Sequence, residues 1–353
     1  MSLFPLLQGD THCDESTVPE IVAMTAQLPD QVFIVGMNGS GTTMLLDHLA
    51  SHSLLFGFPA ETQVLPYFIK RQAIYGDLED DANYRKLWCD MAKSSYRGQI
   101  PGASENHIPE HWREQPRSAA GVFNAIMLQF ADAEGKRIWC EKTPMHVHHL
   151  ALLAQEFPTA KFIHIVRDGR DCAASFHRRW SYNPVRTIYR WKHAVRAGQS
   201  QGQRLDSRYY EVRYDEVTRA PENAFQDICA FLGIPFESSV LNAIRVRPHM
   251  TGSASQSIVR NQRCAAQYFT PRDLEKIERV AGRCLSDLGY ATSNPTGDQD
   301  PKWLTLRWWE LVDDVRRLGR LVLAEGSMFK PKRWSYIIKR ARGALKQKIS
   351  MRP

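Results

Sequence analysis

The stretch Val32-Phe33-Ile34-Val35-Gly36-Met37-Asn38-Gly39-Ser40-Gly41-Thr42-Thr43-Met44-Leu45-Leu46 decides how this chain is read. It begins as a short apolar β-run, breaks into a glycine-rich turn, and resumes as a helix that opens on two hydroxyls. Such a turn leaves successive backbone N–H groups unpaired and aimed at one point, with the positive end of a helix dipole behind them. The result is a cradle for a phosphate-type anion. The spacing Gly36-x4-Gly41 is that of a P-loop, but Thr42 stands where a P-loop places its lysine. The anion expected here is therefore not the β,γ-phosphate of a nucleoside triphosphate.

A chain of 353 residues with 43% hydrophobic content can bury a substantial core, as one large domain or a domain with appendages. No apolar run approaches the length of a membrane-spanning helix. The opening Met1-Ser2-Leu3-Phe4-Pro5-Leu6-Leu7 has no basic n-region and soon meets Asp10, Asp14 and Glu15, which predicts no secretion signal. The seven scattered cysteines, with no C-x-x-C, read as reduced packing thiols, and the expected location is cytoplasmic. The formal charge of +8 is uneven: residues 330–353 carry nine Lys and Arg and no acid, which leaves the rest of the chain at −1. A general nucleic-acid-binding surface is not indicated.

Five segments read as strands: 31–36, 53–57, 137–141, 161–166 and 208–213. Helical patterns between them, at 43–50 and 147–157 among others, predict an α/β fold with a P-loop-type parallel sheet covered by helices on both faces. Ligands of such sheets sit at the carboxyl ends of the strands. Residues 75–118 break the alternation and read as a helical insert, and the aperiodic 248–270 reads as a lid. Thr270-Pro271-Arg272-Asp273 signals a capped helix start, with Leu274, Ile277, Ala281, Leu285 and Leu288 on one face and Gly289 as the stop. The expected organisation is an N-terminal arm over 1–30, an α/β domain over 31–293, and a linker (294–301) leading to a helical extension that ends at 353, with helices at 303–324 and 334–349.

A second segment, Lys161 to Arg179, carries a buried strand into a helix start crowded with arginines: Arg167-Asp168-Gly169-Arg170-Asp171, then Ser175 and Arg179. Ser175 and Arg179 lie one turn apart on one face. This is a second anion site, made of side chains rather than of a glycine loop. Two such sites at neighbouring strand ends suit a ligand with phosphates at both ends of a ribose.

Together these motifs make the chain resemble the sulfotransferases that use 3′-phosphoadenosine-5′-phosphosulfate (PAPS), with motifs nearest the tyrosylprotein and bacterial branch. The family loop G-x-P-[RK]-S-G-T-T-L corresponds to Gly36–Met44, and its R-D-x-R-D strand end with a serine eight residues on corresponds to Arg167 and Ser175. Arg213-Tyr214-Asp215-Glu216-Val217 is similar to the family's [H/R]-Y-E-x-L. The resemblance covers about residues 31–290. It implies that Asn38, Gly39, Ser40, Gly41, Thr42 and Thr43 cradle the 5′-phosphosulfate, that Arg167, Ser175 and Arg179 hold the 3′-phosphate, and that Tyr214 meets the nucleotide. It implies in-line transfer of the sulfuryl group to a hydroxyl acceptor, with product PAP (adenosine 3′,5′-bisphosphate) and no metal.

Sulfuryl transfer needs a base, donors to the SO₃ oxygens, and a cation near the departing phosphate. Glu61-Thr62-Gln63-Val64-Leu65-Pro66 is similar to the G-E-T-R-V-I-P of tyrosylprotein sulfotransferases, which implies Glu61 as the base. Glu141-Lys142-Thr143-Pro144 is similar to the K-[DT]-P segment, which implies that Lys142 contacts the transferring group. Pro144 stands where cytosolic relatives carry a histidine. Two positions depart from the family: Asn38-Gly39 replaces Pro-[Arg/Lys], so the loop cation is missing, and Gln63 replaces an arginine.

In His146-x-His148-His149, His146 and His149 would share a helix face, but no third ligand has suitable spacing, and the cluster reads as a polar helix start. His164, inside an apolar strand, reads as a satisfied core histidine, and His52 is a second candidate for the base. Trp303, Trp308 and Trp309 read as packing or docking residues. The basic segment with Trp334, Ile337, Ile338, Ala341, Leu345 and Ile349 at helical spacing fits an amphipathic helix on an anionic membrane surface, giving peripheral attachment, or a helix packed on the body. Two other functions fit parts of the sequence: a P-loop kinase or NTPase, which Thr42 opposes, and a membrane-associated nucleotide-binding protein without catalysis, which Gly39 favours. The acceptor, whether small molecule, glycan or peptidyl hydroxyl, has no signature in the sequence.

Overall fold

The computed structural model describes residues 30–93, 110–242 and 265–324. Its strands are β1 (Gln31–Gly36), β2 (Leu55–Gly57), β3 (Ile138–Lys142), β4 (Lys161–Val166) and β5 (Tyr209–Arg213), all parallel in the order β2-β3-β1-β4-β5. Each lies within two residues of its expected position. The helices are α1 (Thr42–Leu49), α2 (Leu65–Arg71), α3 (Asp81–Lys93), α4 (Ala119–Ala133), α5 (Leu150–Glu156), α6 (Gly169–Trp180), α7 (Pro184–Gly202), α8 (Tyr214–Arg219), α9 (Pro221–Leu232), α10 (Pro271–Asp287) and α11 (Trp303–Ala324).

Alternation along the strands feeds two separate cores. Val32, Ile34, Ile163, Ile165 and Val212 pack with Leu45, Leu46 and Leu49 of α1 and with Phe225 and Ile228 of α9. Phe33, Trp139 and Phe162 face the other way, toward Phe123 of α4 and Ile188 and Trp191 of α7. Phe33 stacks on Phe162 with centroids 5.3 Å apart and meets Trp139 edge-on at 5.2 Å. Both faces being covered explains why β1 and β4 read as largely apolar runs. Because the chain leaves β1 on one side to build β2 and β3 and returns on the other to build β4 and β5, the switch of direction lies beside β1. The crevice at its carboxyl end is where this architecture binds ligands.

The expected start of α10 holds in full: Thr270 accepts from the Asp273 N–H at 3.2 Å, and the Asp273 carboxylate accepts from the Thr270 N–H at 3.3 Å. The described part of the 75–118 insert is helical and packs into the core through Tyr84, Leu87, Trp88 and Met91. Arg117 closes it, lying over the rings of Tyr84 and Trp112 and pairing with Asp81 at 2.7 Å. Residues 1–29, 248–264 of the expected lid, and the expected helix over 334–349 lie outside the described residues. Among the described residues no helix is long and apolar enough to cross a membrane.

Three expectations are corrected. The helix expected over 147–157 begins as a 3-10 turn, Pro144–His149, and becomes α-helical only at Leu150, where the backbone of His149 (φ −131°) separates the two. His52 lies before β2, at the amino end of the sheet, with Nε2 against Pro235 O at 2.9 Å and Nδ1 accepting from the Leu54 N–H at 3.0 Å; it cannot serve an acceptor at the opposite end. The segment 294–301 is not a free linker. Asp298 and Asp300 both bind the buried ammonium of Lys192 on α7, Asp298 also pairs with Arg196 at 2.8 Å, and the backbone joins α10 through Arg283 N to Gly297 O at 2.9 Å. A buried lysine needs such partners, and these contacts bring 294–301 onto the α/β body. Beyond it, α11 docks through Asp313, which accepts from Arg186 and from the Asn183 N–H, both at 2.9 Å.

This attachment carries a pH signature. The hydrogen bond from Arg196 holds Asp298 down at about 2 against an ordinary 3.8, with burial opposing and Lys192 adding to it. A carboxylate depressed in the folded state stabilises above its unfolded pKa, and that contribution is lost as pH falls through the folded value. Wild-type protein should therefore lose urea stability more steeply than Asp298→Asn on descending from pH 4 toward pH 2. Parallel profiles would show that the ionised Asp298 contributes nothing to stability.

Candidate active site

All five strands bring a residue expected at the site to their carboxyl ends. The glycine loop follows β1, Lys142 ends β3, Arg167 and Tyr214 come directly after β4 and β5, and Glu61 lies four residues beyond β2. Residues more than a hundred positions apart are thus gathered along one edge by the register of a parallel sheet.

The loop has the geometry that its composition predicts. Gly39 and Gly41 have φ of +91° and +107°, the left-handed region that L side chains enter only with strain. A Cβ on Gly41 would also stand 2.6 Å from Cδ2 of Tyr214, so the tyrosine ring packs directly on the loop. Gly41 caps α1 without a side-chain acceptor, which leaves the first-turn N–H groups at Thr42 and Thr43 without a cap. Ser40 is buried, and its Oγ has no hydrogen-bond partner among the described residues. At Gly39, a Cβ would touch the Phe176 ring of α6 at 3.4 Å. The absence of a cation here is therefore built into the backbone as well as the sequence.

Arg167 joins the loop to the second site. It is 5% exposed, sends Nη1 to Gly39 O at 3.4 Å and Nη2 to Asp171 at 3.2 Å, and lies 4.3 Å over the ring of Tyr214. Its own carbonyl accepts from Trp191 Nε1 at 3.0 Å. Its Nε is buried without a partner among the described residues. Two orphaned donors, Ser40 Oγ and Arg167 Nε, would be costly unless a ligand answers them. They fit an anion, as do the open N–H groups of α1. Asp171, Ser175 and Arg179 follow at i, i+4, i+8 on one face of α6; Ser175 is half-buried and Arg179 exposed. Arg170 is different: it pairs with Asp168 and Glu278, both at 2.7 Å, and ties α6 to α10.

Lys142 is 1% exposed, and its Nζ meets Glu61 Oε1 at 2.7 Å. Glu61 Oε2 accepts from Gln63 Nε2 at 2.9 Å. The two residues assigned catalytic roles by resemblance are therefore in contact across 81 positions. Residues to which the sequence assigned no role in the site surround them. Glu141, fully buried, accepts from the N–H and Oγ1 of Thr62 at 3.2 and 3.1 Å and from Thr143 Oγ1, and lies 3.2 Å from His146 Nδ1. A carboxylate inside an all-buried strand was the signal that pointed to it. Asp171, four residues after Arg167, was legible by helix spacing. His164 accepts or donates at Tyr209 Oη at 2.7 Å, as a satisfied core histidine. Among the described residues no group of three or more His, Cys, Asp or Glu side chains could hold a metal.

Comparison with known proteins bears on the same region. The model of the sulfotransferase family matches residues 29–238, which takes in the loop, Glu61, Lys142, Arg167 and Tyr214. The chain is 24% identical over 317 residues to protein-tyrosine sulfotransferase 1 of Danio rerio, covering 82% of this chain and 79% of that protein. It is 25% identical over 268 residues to protein-tyrosine sulfotransferase of Drosophila melanogaster, covering 73% of this chain but 48% of that protein. Among solved structures, the sulfotransferase domain from the curacin biosynthetic pathway aligns at 22% identity with a TM-score of 0.48, covering 75% of this chain and 99% of that one. With a family model spanning more than half of its length, the chain belongs to the sulfotransferase family and is an enzyme of sulfuryl transfer.

Proposed function

We propose that this enzyme takes its sulfuryl group from PAPS and passes it in line to a hydroxyl acceptor, with Glu61 as general base. The observation that carries the reading is the convergence of two anion sites on one edge: a glycine cradle with an orphaned Ser40 hydroxyl, and Arg167 reaching from the next strand end to Gly39 O at 3.4 Å. PAPS would supply a sulfuryl group carried on a phosphate leaving group. The N–H groups of Gly39, Gly41, Thr42 and Thr43 and the Ser40 hydroxyl would hold its 5′ end, the Ser40 N–H being bonded to Met37 O at 3.0 Å. Arg167, Ser175 and Arg179 would hold the 3′-phosphate, and Tyr214, stacked under Arg167, would present its ring edge to the nucleotide.

Glu61 is set up to take a proton. Its carboxylate accepts from Lys142 at 2.7 Å and from Gln63 at 2.9 Å, and an ionised carboxylate is an acceptor-only group suited to take the proton of an acceptor hydroxyl. Lys142 is the buried cation at this point. Charge developing on the donor side would draw its ammonium from Glu61, coupling proton removal to charge neutralisation on the leaving phosphate. With Gly39 unable to supply a cation, Lys142 and the amino end of α1 carry that task. Gln63 stands where tyrosylprotein enzymes have arginine, so the acceptor class is left as a hydroxyl-bearing small molecule, glycan or peptide.

Calorimetry should show PAP binding at least tenfold tighter than ATP–Mg²⁺; the reverse preference would sink the PAPS reading in favour of a P-loop kinase. Glu61→Gln should lower transfer from PAPS to a phenol or tyrosine-peptide acceptor by about 10²–10⁴-fold, with PAP affinity within twofold of wild type. Retained turnover would remove Glu61 from the role.

For the basic segment 330–353 we propose an anionic membrane surface as partner. Its charge supports this, and so does the face of α11 just before it, where Trp303, Leu304, Trp308, Leu311 and Val315 are each more than half exposed. Sedimentation with phosphatidylserine vesicles should retain the full chain and lose a chain ending at Ala324. Equal retention of both would dismiss the idea.

A further inference from the structure

Glu141 and Lys142 are neighbours on β3 and point to opposite faces of the sheet. Both reach the same three-residue turn. Lys142 takes Glu61 at 2.7 Å, while Glu141 takes the N–H and hydroxyl of Thr62 at 3.2 and 3.1 Å. Thr143 completes the grip: its hydroxyl donates to Glu141 and accepts from the Gln63 N–H at 3.4 Å. The turn needs holding. Gln63 sits at φ +49°, a left-handed conformation that costs a non-glycine residue on the order of 1–3 kcal/mol unless its surroundings fix it.

Glu141 is an expensive way to hold it. The side chain is fully buried, and its second oxygen lies 3.2 Å from His146 Nδ1, an ion-pair distance without hydrogen-bond alignment. Burial works against its ionisation, but the charge and contact of His146 and the bonds from Thr143 and Thr62 outweigh it, so its pKa lies below the ordinary carboxylate value. A buried carboxylate adds little to stability over an apolar replacement. Its hydrogen bonds instead go to Thr62, the neighbour of Glu61, and to Thr143, the neighbour of Lys142.

We propose that Glu141 is a positioning residue, which sets Glu61 against Lys142 through Thr62 and Thr143, with His146 as its buried partner. The proposal rests on the reading of Glu61 as base. Displacing a reacting group by about 1 Å can cost about 10²-fold in rate, and that sets the expected size of the effect.

Glu141→Gln, which keeps the shape and removes the charge, should lower kcat by about 10–100-fold on a phenol or tyrosine-peptide acceptor. PAP affinity should stay within about twofold. The acid limb of its pH–rate profile should move to higher pH, because Glu61 loses its fixed contact with the Lys142 ammonium. Thr62→Val removes the hydroxyl half of the same link and leaves the backbone half, so it should give a loss in the same direction, and the double variant should lose less than the sum of the two single ones. If Glu141→Gln does not fold, Thr62→Val alone carries the same expectation. A lowered Tm with unchanged kcat and pH profile in both variants would reduce the cluster to a packing role and overturn the proposal. Glu61→Gln in the same assay separates the two claims. Turnover retained there removes the base assignment, whereas an inactive Glu61→Gln beside a fully active Glu141→Gln overturns the positioning role alone.

Discussion

The guanidinium of Arg167 is the point on which the glycine loop and its neighbouring strand ends depend. Its hydrogen bonds run to the glycine loop at Gly39 and to Asp171 on α6, and its face covers Tyr214, whose ring is pressed against Gly41. One buried cation thereby touches three elements that follow three different strands. The cation–π contact contributes on the order of 1–2 kcal/mol when desolvated. The larger consequence is geometric: the loop, the helix start and the tyrosine cannot shift independently. Asp171 extends the constraint by accepting from the Ala265 N–H at 2.9 Å, where the chain re-enters the described structure ahead of α10.

The region around Glu61 and Lys142 is built on the same principle with opposite charges. Lys142 is a buried ammonium that needs Glu61, and Glu141 is a buried carboxylate that needs Thr62, Thr143 and His146. Neither would persist without its partners, since an unpaired buried charge costs several kcal/mol. Tying the 61–63 turn to β3 by two charges of opposite sign fixes its position more tightly than apolar packing would. The sheet core, aromatic on one face and aliphatic on the other, supplies the rigid base for both regions.

Much of this was legible in the sequence, for physical reasons. Strands buried on both faces produce largely apolar runs, as β1 and β4 do, whereas the edge strand β5 (Tyr209–Arg213) is mostly half-buried and carries Glu211. The left-handed turn requires glycine, so Gly39 and Gly41 marked the loop. Thr270, Pro271 and Asp273 marked the start of α10 because capping is local. What escaped notice depends on residues distant in sequence. Asp298 and Asp300 looked like linker composition because nothing nearby shows that Lys192, over a hundred residues earlier, is buried beneath them. The Glu141 cluster joins residues 62, 141, 143 and 146 across two strands, and no short motif records it. His52 was misplaced because a residue between a helix and a strand does not reveal which end of the sheet it occupies.

The central claim is that the cradle after β1 and the arginine after β4 bind opposite ends of one nucleotide. The most direct measurement is a calorimetric cycle with PAP and adenosine 5′-monophosphate, which lacks the 3′-phosphate, on wild-type protein and on Arg167→Met. The account predicts that wild type prefers PAP by at least about tenfold and that Arg167→Met abolishes most of that preference, with 5′-monophosphate affinity changed far less. Equal affinity of wild type for the two nucleotides, or an undiminished preference in the variant, would contradict it.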